Sequence, residues 1–463
     1  MFLAVAYVDL AMAPTDKWVN GAKKGKDEYL SHSLEKPRIT LDKALGSAGR
    51  GRNWGSEGVV LPAIMTKLPM LRKDGDYREL VNSEVIVGFK ETFSLTDTGL
   101  HRPKIVVAIG ESGRFYKQLV KGEDDIRQDA VMEQVFGAVN RVLRGQKLEL
   151  LEISTYVVVP LSPVSGVLEW VTNTEPFGDY LIDAKGSRGK AGAHSKYYPG
   201  DWSNSSCRTH FRNAPVDCKV SSFVEMCKRF KPAFRYFFLE RWSDSVRAWH
   251  AAKSNYIRST ASSSMIGHIL GIGDRHTHNI LLNNKTGAVV HIDFGIVFGQ
   301  GKVLMTPETV PFRLTRDIVD GLGVNGCDGL FSESCCSVLK VLRENNRALL
   351  TILEVMANDP LYKFTISPVA IAQKQRREEE EGEGGEGGRG GGGGGGEGKG
   401  EGEGEDVGEA TRRVLTGIRQ KLEGYEESTP EMLSVEGQVQ LLISEARSPE
   451  NLSKLFVGWA PWV

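Results

Sequence analysis

Residues 271–295 constrain this chain more than any other stretch, because they set polar chemistry at the ends of two short apolar runs. Residues 280–282 and 288–292 are aliphatic and rich in β-branched side chains, and 283–287 between them carries Asn, Lys, Thr and Gly. That pattern predicts a β-hairpin. A hairpin returns the chain to where it started, so Asp274 and Asn279, just before the first strand, are brought beside Asp293, just after the second. Two carboxylates and an amide at one end of a hairpin suit magnesium and phosphate.

Protein kinases build phosphoryl transfer from such parts. An Asp in the catalytic loop orients or deprotonates the acceptor hydroxyl, an Asn five residues later binds a metal, and the Asp of a DFG triplet binds metal as well. Asp274 and Asn279 have that spacing, and Asp293, Phe294 and Gly295 supply the triplet. The loop reads Asp274, Arg275, His276, the reverse of the usual His-Arg-Asp order.

At 463 residues the chain exceeds one ordinary core, which predicts two or three subdomains. The formal net charge of −1 conceals a division. Residues 378–409 hold twelve acidic and two basic side chains, a net of −10 that leaves +9 for the rest. A mildly basic body suits polyphosphate ligands and is too weak an argument for a nucleic-acid surface. The six cysteines form no CxxC pair and no metal-ligand spacing, so they read as reduced intracellular thiols. The apolar run 1–13 has no basic start and is interrupted by Asp9, against a signal peptide. No run reaches the roughly 18 apolar residues of a membrane span, so a soluble chain is expected.

Along the chain, residues 1–35 read as the tail of a helix whose packing partners are missing, followed by a polar stretch. Strand signals dominate from 58 to 172, at residues 59–64, 85–89, 104–109, 115–119 and 155–161. The glycines of the turn 109–114 either let backbone N–H groups approach phosphate or serve the turn alone. Lys121 ends a strand before an acidic helix start with apolar residues at helical spacing from Ile126 to Leu143. It is a nucleotide-holding lysine or a solvated one beside a capped helix, and the downstream loop favours the first. Leu168, Glu169, Trp170 and Val171 occupy the place of an inter-lobe hinge, the alternative being a buried strand with a core tryptophan. Residues 184–215 read as a long polar loop or insertion. Helical spacing follows at 223–238, 245–271, 334–343 and 348–356. Residues 373–409, almost only Glu and Gly, predict a disordered linker. Beyond it 411–424 is amphipathic, and 434–463 is apolar enough to require a packing surface.

Residues 119–132, 271–279, 291–295, 306–323 and 456–463 together resemble the phosphatidylinositol 3-kinase-related protein kinase family, and the run 306–321 resembles its ATM-type branch most sharply. The resemblance covers about residues 36–372 and 409–463. It implies an α+β, bilobal protein-kinase-like fold of the phosphatidylinositol-kinase type. A remnant of a FAT domain would occupy 1–35, a β-rich N-lobe 36–172 and a mainly helical C-lobe 173–372. The linker, a helix at 410–430 and a helical FATC segment at 431–463 would follow. Carried over residue by residue, Lys121 contacts the ATP phosphates, supported by Asp124 and Asp129. Asp274 is the catalytic base or hydroxyl-orienting residue and His276 a transition-state stabiliser. Asn279 and Asp293 bind Mg2+, or Mn2+. Leu168, Glu169, Trp170 and Val171 form the adenine hinge, and Leu281 and Ile292 complete the nucleotide site. Residues 296–310 are the activation loop, near which the FATC segment packs.

The resemblance also implies a serine/threonine protein kinase acting before Gln, in nuclear DNA double-strand-break signalling and checkpoint control. Its partners would be Ser/Thr-Gln protein substrates and a break-sensing nuclease complex, with a homodimer for the full-length family and neither a membrane nor a direct nucleic-acid site. The Glu/Gly stretch replaces the family's regulatory region, and the preceding FAT domain and helical solenoid are essentially absent, which puts regulation and recruitment in doubt.

A phosphatidylinositol kinase shares nearly all these residues, but reads anionic head groups with clustered bases. Residues 295–311 hold one basic residue, Lys302, and one acidic, Glu308, which favours a protein hydroxyl. A catalytically dead scaffold is disfavoured because Lys121, Asp274, Asn279 and Asp293 are all present. A zinc site at His276 and His278 has no third ligand at metal spacing.

Overall fold

A computed structural model describes Tyr7, Ala11 and residues 39–40, 59–60, 85–90, 92–96, 103–110, 112–123, 125–182, 191–357 and 407–463. Apart from two residues, the expected FAT remnant lies outside the described residues, as do the Glu/Gly stretch through 406, Glu111 and Asp124. The chain divides into two compact units, 1–136 with 155–173, and 137–154 with 174–463.

The first unit is an antiparallel sheet. Strands β1 (Ile39–Thr40), β2 (Val59–Val60), β3 (Val85–Phe89), β4 (Thr92–Leu95), β5 (Lys104–Gly110), β6 (Phe115–Gly122), β7 (Val158–Ser162) and β8 (Ser165–Glu169) run in the order β1-β4-β5-β6-β8-β7. Strand β3 also pairs with β5, and β2 with β3. The aliphatic run of β5 buries Ile105, Val106 and Ala108, and β6 lies between it and β8 in the registers Ile105↔Leu119 and Leu119↔Leu168. Helix α1 (Arg127–Gly145) begins in this unit and ends in the second.

The second unit is mainly helical and is organised on α2 (Val246–Leu270), whose apolar and small residues are buried over most of its length. Ser245 caps its start by accepting from Ala248 N, and Gly271 ends it at φ 60, a left-handed conformation that favours glycine. A Cβ there would also lie 2.4 Å from Gly299 N. Two buried hydroxyls on α2 fix neighbours: Ser259 Oγ accepts from Val289 N at 2.9 Å, and Ser262 Oγ donates to Leu151 O at 2.7 Å. Helix α3 (Leu330–Glu344) packs along α2, and α4 (Val407–Glu423) and α5 (Val435–Arg447) pack on α3. The first helix after the Glu/Gly stretch thus ends at Glu423, where Gly424 turns the chain at φ 96. Among the described residues no helix is long and apolar enough to cross a membrane.

Two sequence expectations are corrected here. Residues 184–215, read as a polar loop, contain a capped helix, Asn204–Asn213. Its apolar face is only Cys207 and Phe211, four residues apart, too narrow a stripe to stand out, yet both are buried and Ser203 caps the end. The helix expected over 223–238 is broken into Lys219–Arg229 and Arg235–Trp242. Pro232 lies in the gap, where it lacks the N–H a continuous helix needs.

Candidate active site

The expected hairpin forms. Strands β10 (Ile280–Asn283) and β11 (Val289–His291) pair from Ile280↔His291 to Leu282↔Val289, and β9 (Thr174–Pro176) flanks β10. Asn283 shapes the turn, its Oδ1 accepting from Lys285 N and Thr286 N at 2.9 and 3.0 Å. One more bond, Ile292 N to Asn279 O at 3.0 Å, extends the ladder, so Asp293 leaves the hairpin beside Asn279.

Asp274 and Asp293 both have left-handed backbones, φ 53 and 59. Such conformations cost a residue with a Cβ about 1–3 kcal/mol and persist where the surroundings impose them. Arg275 does so. It is 3 % exposed, and its guanidinium donates to Gly273 O and Ile292 O, both at 2.8 Å, and to Asp293 O. It also lies 5.4 Å from the ring of the wholly buried Phe294. The middle residue of Asp-Arg-His is therefore an internal brace tying the catalytic loop to the DFG segment. No sequence signal marks it, because its partners are backbone carbonyls.

Asn279 is buried, and its Nδ2 donates to Asp274 O at 2.9 Å. That fixes the amide's orientation and leaves Oδ1, the atom a cation binds, on the opposite edge. His276 Nδ1 accepts from His278 N at 3.1 Å, so the neutral ring carries its proton on Nε2. Burial, opposed by the nearby Asp274, holds the His276 pKa down at about 4, which keeps the ring neutral near pH 7. The exposed His278 instead lies 3.4 Å from Asp179. The centroids of the two imidazoles are 6.0 Å apart, and Nδ1 of His276 is already taken. Among the described residues no three of His, Cys, Asp and Glu gather as metal ligands. Magnesium does not need such a cage, since it is held by one or two protein oxygens together with phosphates and water. Asn279 Oδ1 and the Asp293 carboxylate fit that demand.

Leu281 is buried in β10 and Ile292 half-buried beyond β11. In the first unit, Lys121 stands near the end of β6 opposite Gly166, where a Cβ would meet Ile126 Cδ1 at 2.1 Å. Asp129 is buried in the first turn of α1. One turn on, Glu133 is a buried carboxylate that sequence reasoning passed over. It accepts from Tyr156 N at 3.0 Å, and burial, with Asp129 and Glu169 adding to it, pushes its pKa well up. Leu168 and Glu169 belong to β8, Leu168 buried. Glu169 grips Val157 with both its backbone N–H and its carboxylate. The half-buried Trp170 donates its N–H to Lys117 O at 3.2 Å and lies under the Lys117 ammonium, and Val171 follows half-buried.

Comparison with known proteins decides the lineage. A phosphatidylinositol 3- and 4-kinase family model matches residues 116–366 and a FATC domain model residues 432–463. Serine-protein kinase ATM of Sus scrofa is 43% identical over 413 residues, 88% of this chain and 13% of that protein. The chain belongs to the ATM/Tel1 branch of the phosphatidylinositol 3-kinase-related kinases. Serine/threonine-protein kinase ATM of Arabidopsis thaliana is 46% identical over 369 residues, 79% of this chain and 9% of that protein. The solved FAT and kinase domain of CtTel1 superposes with a TM-score of 0.76 at 34% identity, covering 99% of this chain and 28% of the other. The chain thus spans about one-tenth of the length of these curated relatives.

The β-rich first unit and helical second unit carry this family's kinase and FATC architecture. The segment that follows Gly295 begins by zipping onto residues 270–273. Gly273 N bonds Ile296 O, Phe298 N bonds Leu270 O and Gly299 N bonds Gly271 O, each at 2.9 Å. Glu308, farther along, returns to accept from Asp274 N at 2.7 Å. Burial, with the neighbouring Asp274 adding to it, pushes its carboxyl up to about 7. The FATC segment closes on the same loop. Thr309 Oγ1 donates to Asn451 O at 2.8 Å, and the buried Arg313 donates to Trp459 O, Ala460 O and Val463 O at 2.6, 3.0 and 2.7 Å. Arg313 also reaches Arg275 O at 3.3 Å, so one guanidinium ties the FATC end to the brace of the catalytic loop. Neither Glu308 nor Arg313 was among the residues the sequence singled out for chemistry.

Proposed function

We propose that this chain is the catalytic portion of a serine/threonine protein kinase that transfers the ATP γ-phosphate to Ser or Thr followed by Gln. The observation that carries the reading is the braced hairpin end, where Arg275 ties together the segments that carry Asp274 and Asp293, His278 N fixes His276, and Asp274 O fixes the Asn279 amide. The Asp274 carboxylate orients the acceptor hydroxyl and takes its proton. His276, neutral with its proton on Nε2, donates a hydrogen bond to a phosphoryl oxygen as charge develops there. Asn279 and Asp293 hold magnesium, which when bound neutralises phosphate charge and aligns the transferring group. Lys121, supported by Asp129, pairs with the nucleotide phosphates. Leu168 to Val171, Leu281 and Ile292 serve the adenine and ribose side. Lobe boundaries follow the kinase reading, 36–172 and 173–372, with the FATC segment at 431–463.

A protein acceptor is favoured because Lys302, the one base in residues 295–311, is paired with Glu427. No cationic cluster faces a lipid head group from that loop. By relationship to ATM, the chain acts in nuclear double-strand-break signalling with a break-sensing nuclease complex as partner. One solved relative is a complete CtTel1 dimer with C2 symmetry, which supports a homodimer for the full-length protein. The test supplies magnesium and ATP with a Ser-Gln peptide, the same peptide with Gln changed to Ala, and phosphatidylinositol. Preference for the Ser-Gln peptide, lost in Asp293→Ala with the fold intact, is expected. Equal peptide rates or a lipid product would refute the reading.

A further inference from the structure

We infer that Glu308 is a positioning residue that sets the pose of Asp274. The inference rests on the kinase reading, and its evidence is the wedge in which the Glu308 side chain sits. One oxygen, Oε1, accepts from Asp274 N at 2.7 Å. The other, Oε2, lies where a Cβ on Gly273 or on Gly301 would come within 2.6 or 2.4 Å of it, so both flanking positions leave no room for a side chain. The residue's own N–H bonds Gly301 O at 2.9 Å, which anchors the wedge to the activation loop.

Geometry explains why this bears on catalysis. Fixing the direction of the Asp274 N–H fixes the plane of the peptide between Gly273 and Asp274. With Asp274 at φ 53, that plane sets where its Cα–Cβ bond points. Arg275 braces the C-terminal side of the same residue through neighbouring carbonyls, so Asp274 is held from both flanks. Glu308 touches no reacting atom in this scheme. Its effect reaches chemistry only through Asp274, and a displacement of about 1 Å at such a group costs on the order of 100-fold in rate.

The experiment uses the full chain and compares Glu308→Gln, which keeps an acceptor for Asp274 N, with Glu308→Ala, which removes it. For each, kcat and KM for ATP are measured with the Ser-Gln peptide, alongside hydrogen exchange of the peptide covering 271–279. Glu308→Ala is expected to lose about 100-fold in kcat at unchanged KM, with faster exchange at Asp274, while Glu308→Gln retains most of both. A wild-type kcat in Glu308→Ala, equal losses in Gln and Ala, or a loss carried by KM overturns the inference. Should Glu308→Ala fail to fold, Gly301→Ala displaces the same carboxylate with Glu308 in place, and an unchanged kcat there overturns it equally. A wild-type chain that phosphorylates nothing sinks the kinase reading and this inference with it. An active wild type with an indifferent Glu308 sinks the inference alone.

Discussion

Replacing Arg275 with Lys keeps the charge and removes the fork. The guanidinium donates to three carbonyls, Gly273 O, Ile292 O and Asp293 O, from a site that is 3 % exposed. An ammonium on a shorter reach can keep one of them. Hydrogen bonds to charged groups contribute about 1.5–3 kcal/mol each, so losing two predicts a destabilisation of about 3–6 kcal/mol. Domains are stable by about 5–15 kcal/mol, so the variant remains largely folded in water but unfolds at much lower urea. Because the lost bonds also hold Asp274 and Asp293 in left-handed conformations, kcat should fall by about 100-fold even where the chain is fully folded. Urea denaturation followed by circular dichroism, with peptide phosphorylation measured well below the midpoint, reads both effects. A stability change under about 1 kcal/mol together with wild-type kcat would refute the bracing argument.

Two further outcomes are expected. Arg313→Met removes the donor that Trp459 O, Ala460 O and Val463 O share, so limited proteolysis should cut the FATC end first and well before α2; cleavage at the wild-type rate would show that other contacts hold the segment. His276 is lowered from 6.5 to about 4, so between those values the unfolded chain binds the proton and the folded chain does not. Its stabilising contribution is therefore complete above pH 6.5 and is lost as pH falls through 4. Thermal unfolding of His276→Gln across pH 4–7 should show a shallower acid decline than the wild type, and parallel curves would contradict the assignment.

The legible parts of this chain were those whose signal is local. The hairpin was readable because apolar runs and turn residues alternate within 25 residues, and α2 because its apolar spacing is bounded by Ser245 and Gly271. Helix Asn204–Asn213 was not, since its buried face is two residues wide and its composition is that of a loop. Leu168 and Glu169, read on sequence grounds as hinge or buried strand, lie at the end of β8, and Trp170 and Val171 follow it. Pairing with β6 over five registers decides that, and the partner strand is more than 40 residues earlier in the chain.

What the sequence determined by itself was the chemistry available: which acids, amides and imidazoles occur, at what spacing, and in what reversed order around Arg275. Spacing is enough for that because a two-stranded hairpin leaves its ends only one place to go. Tertiary structure decided how those groups are held. Arg275, Glu308 and Arg313 act through backbone N–H and C=O groups, which every residue carries alike, so no side-chain pattern could announce them. Their partners become particular only once the activation loop folds back on the catalytic loop and the FATC end closes over it, bringing Arg313 to carbonyls about 150 residues away.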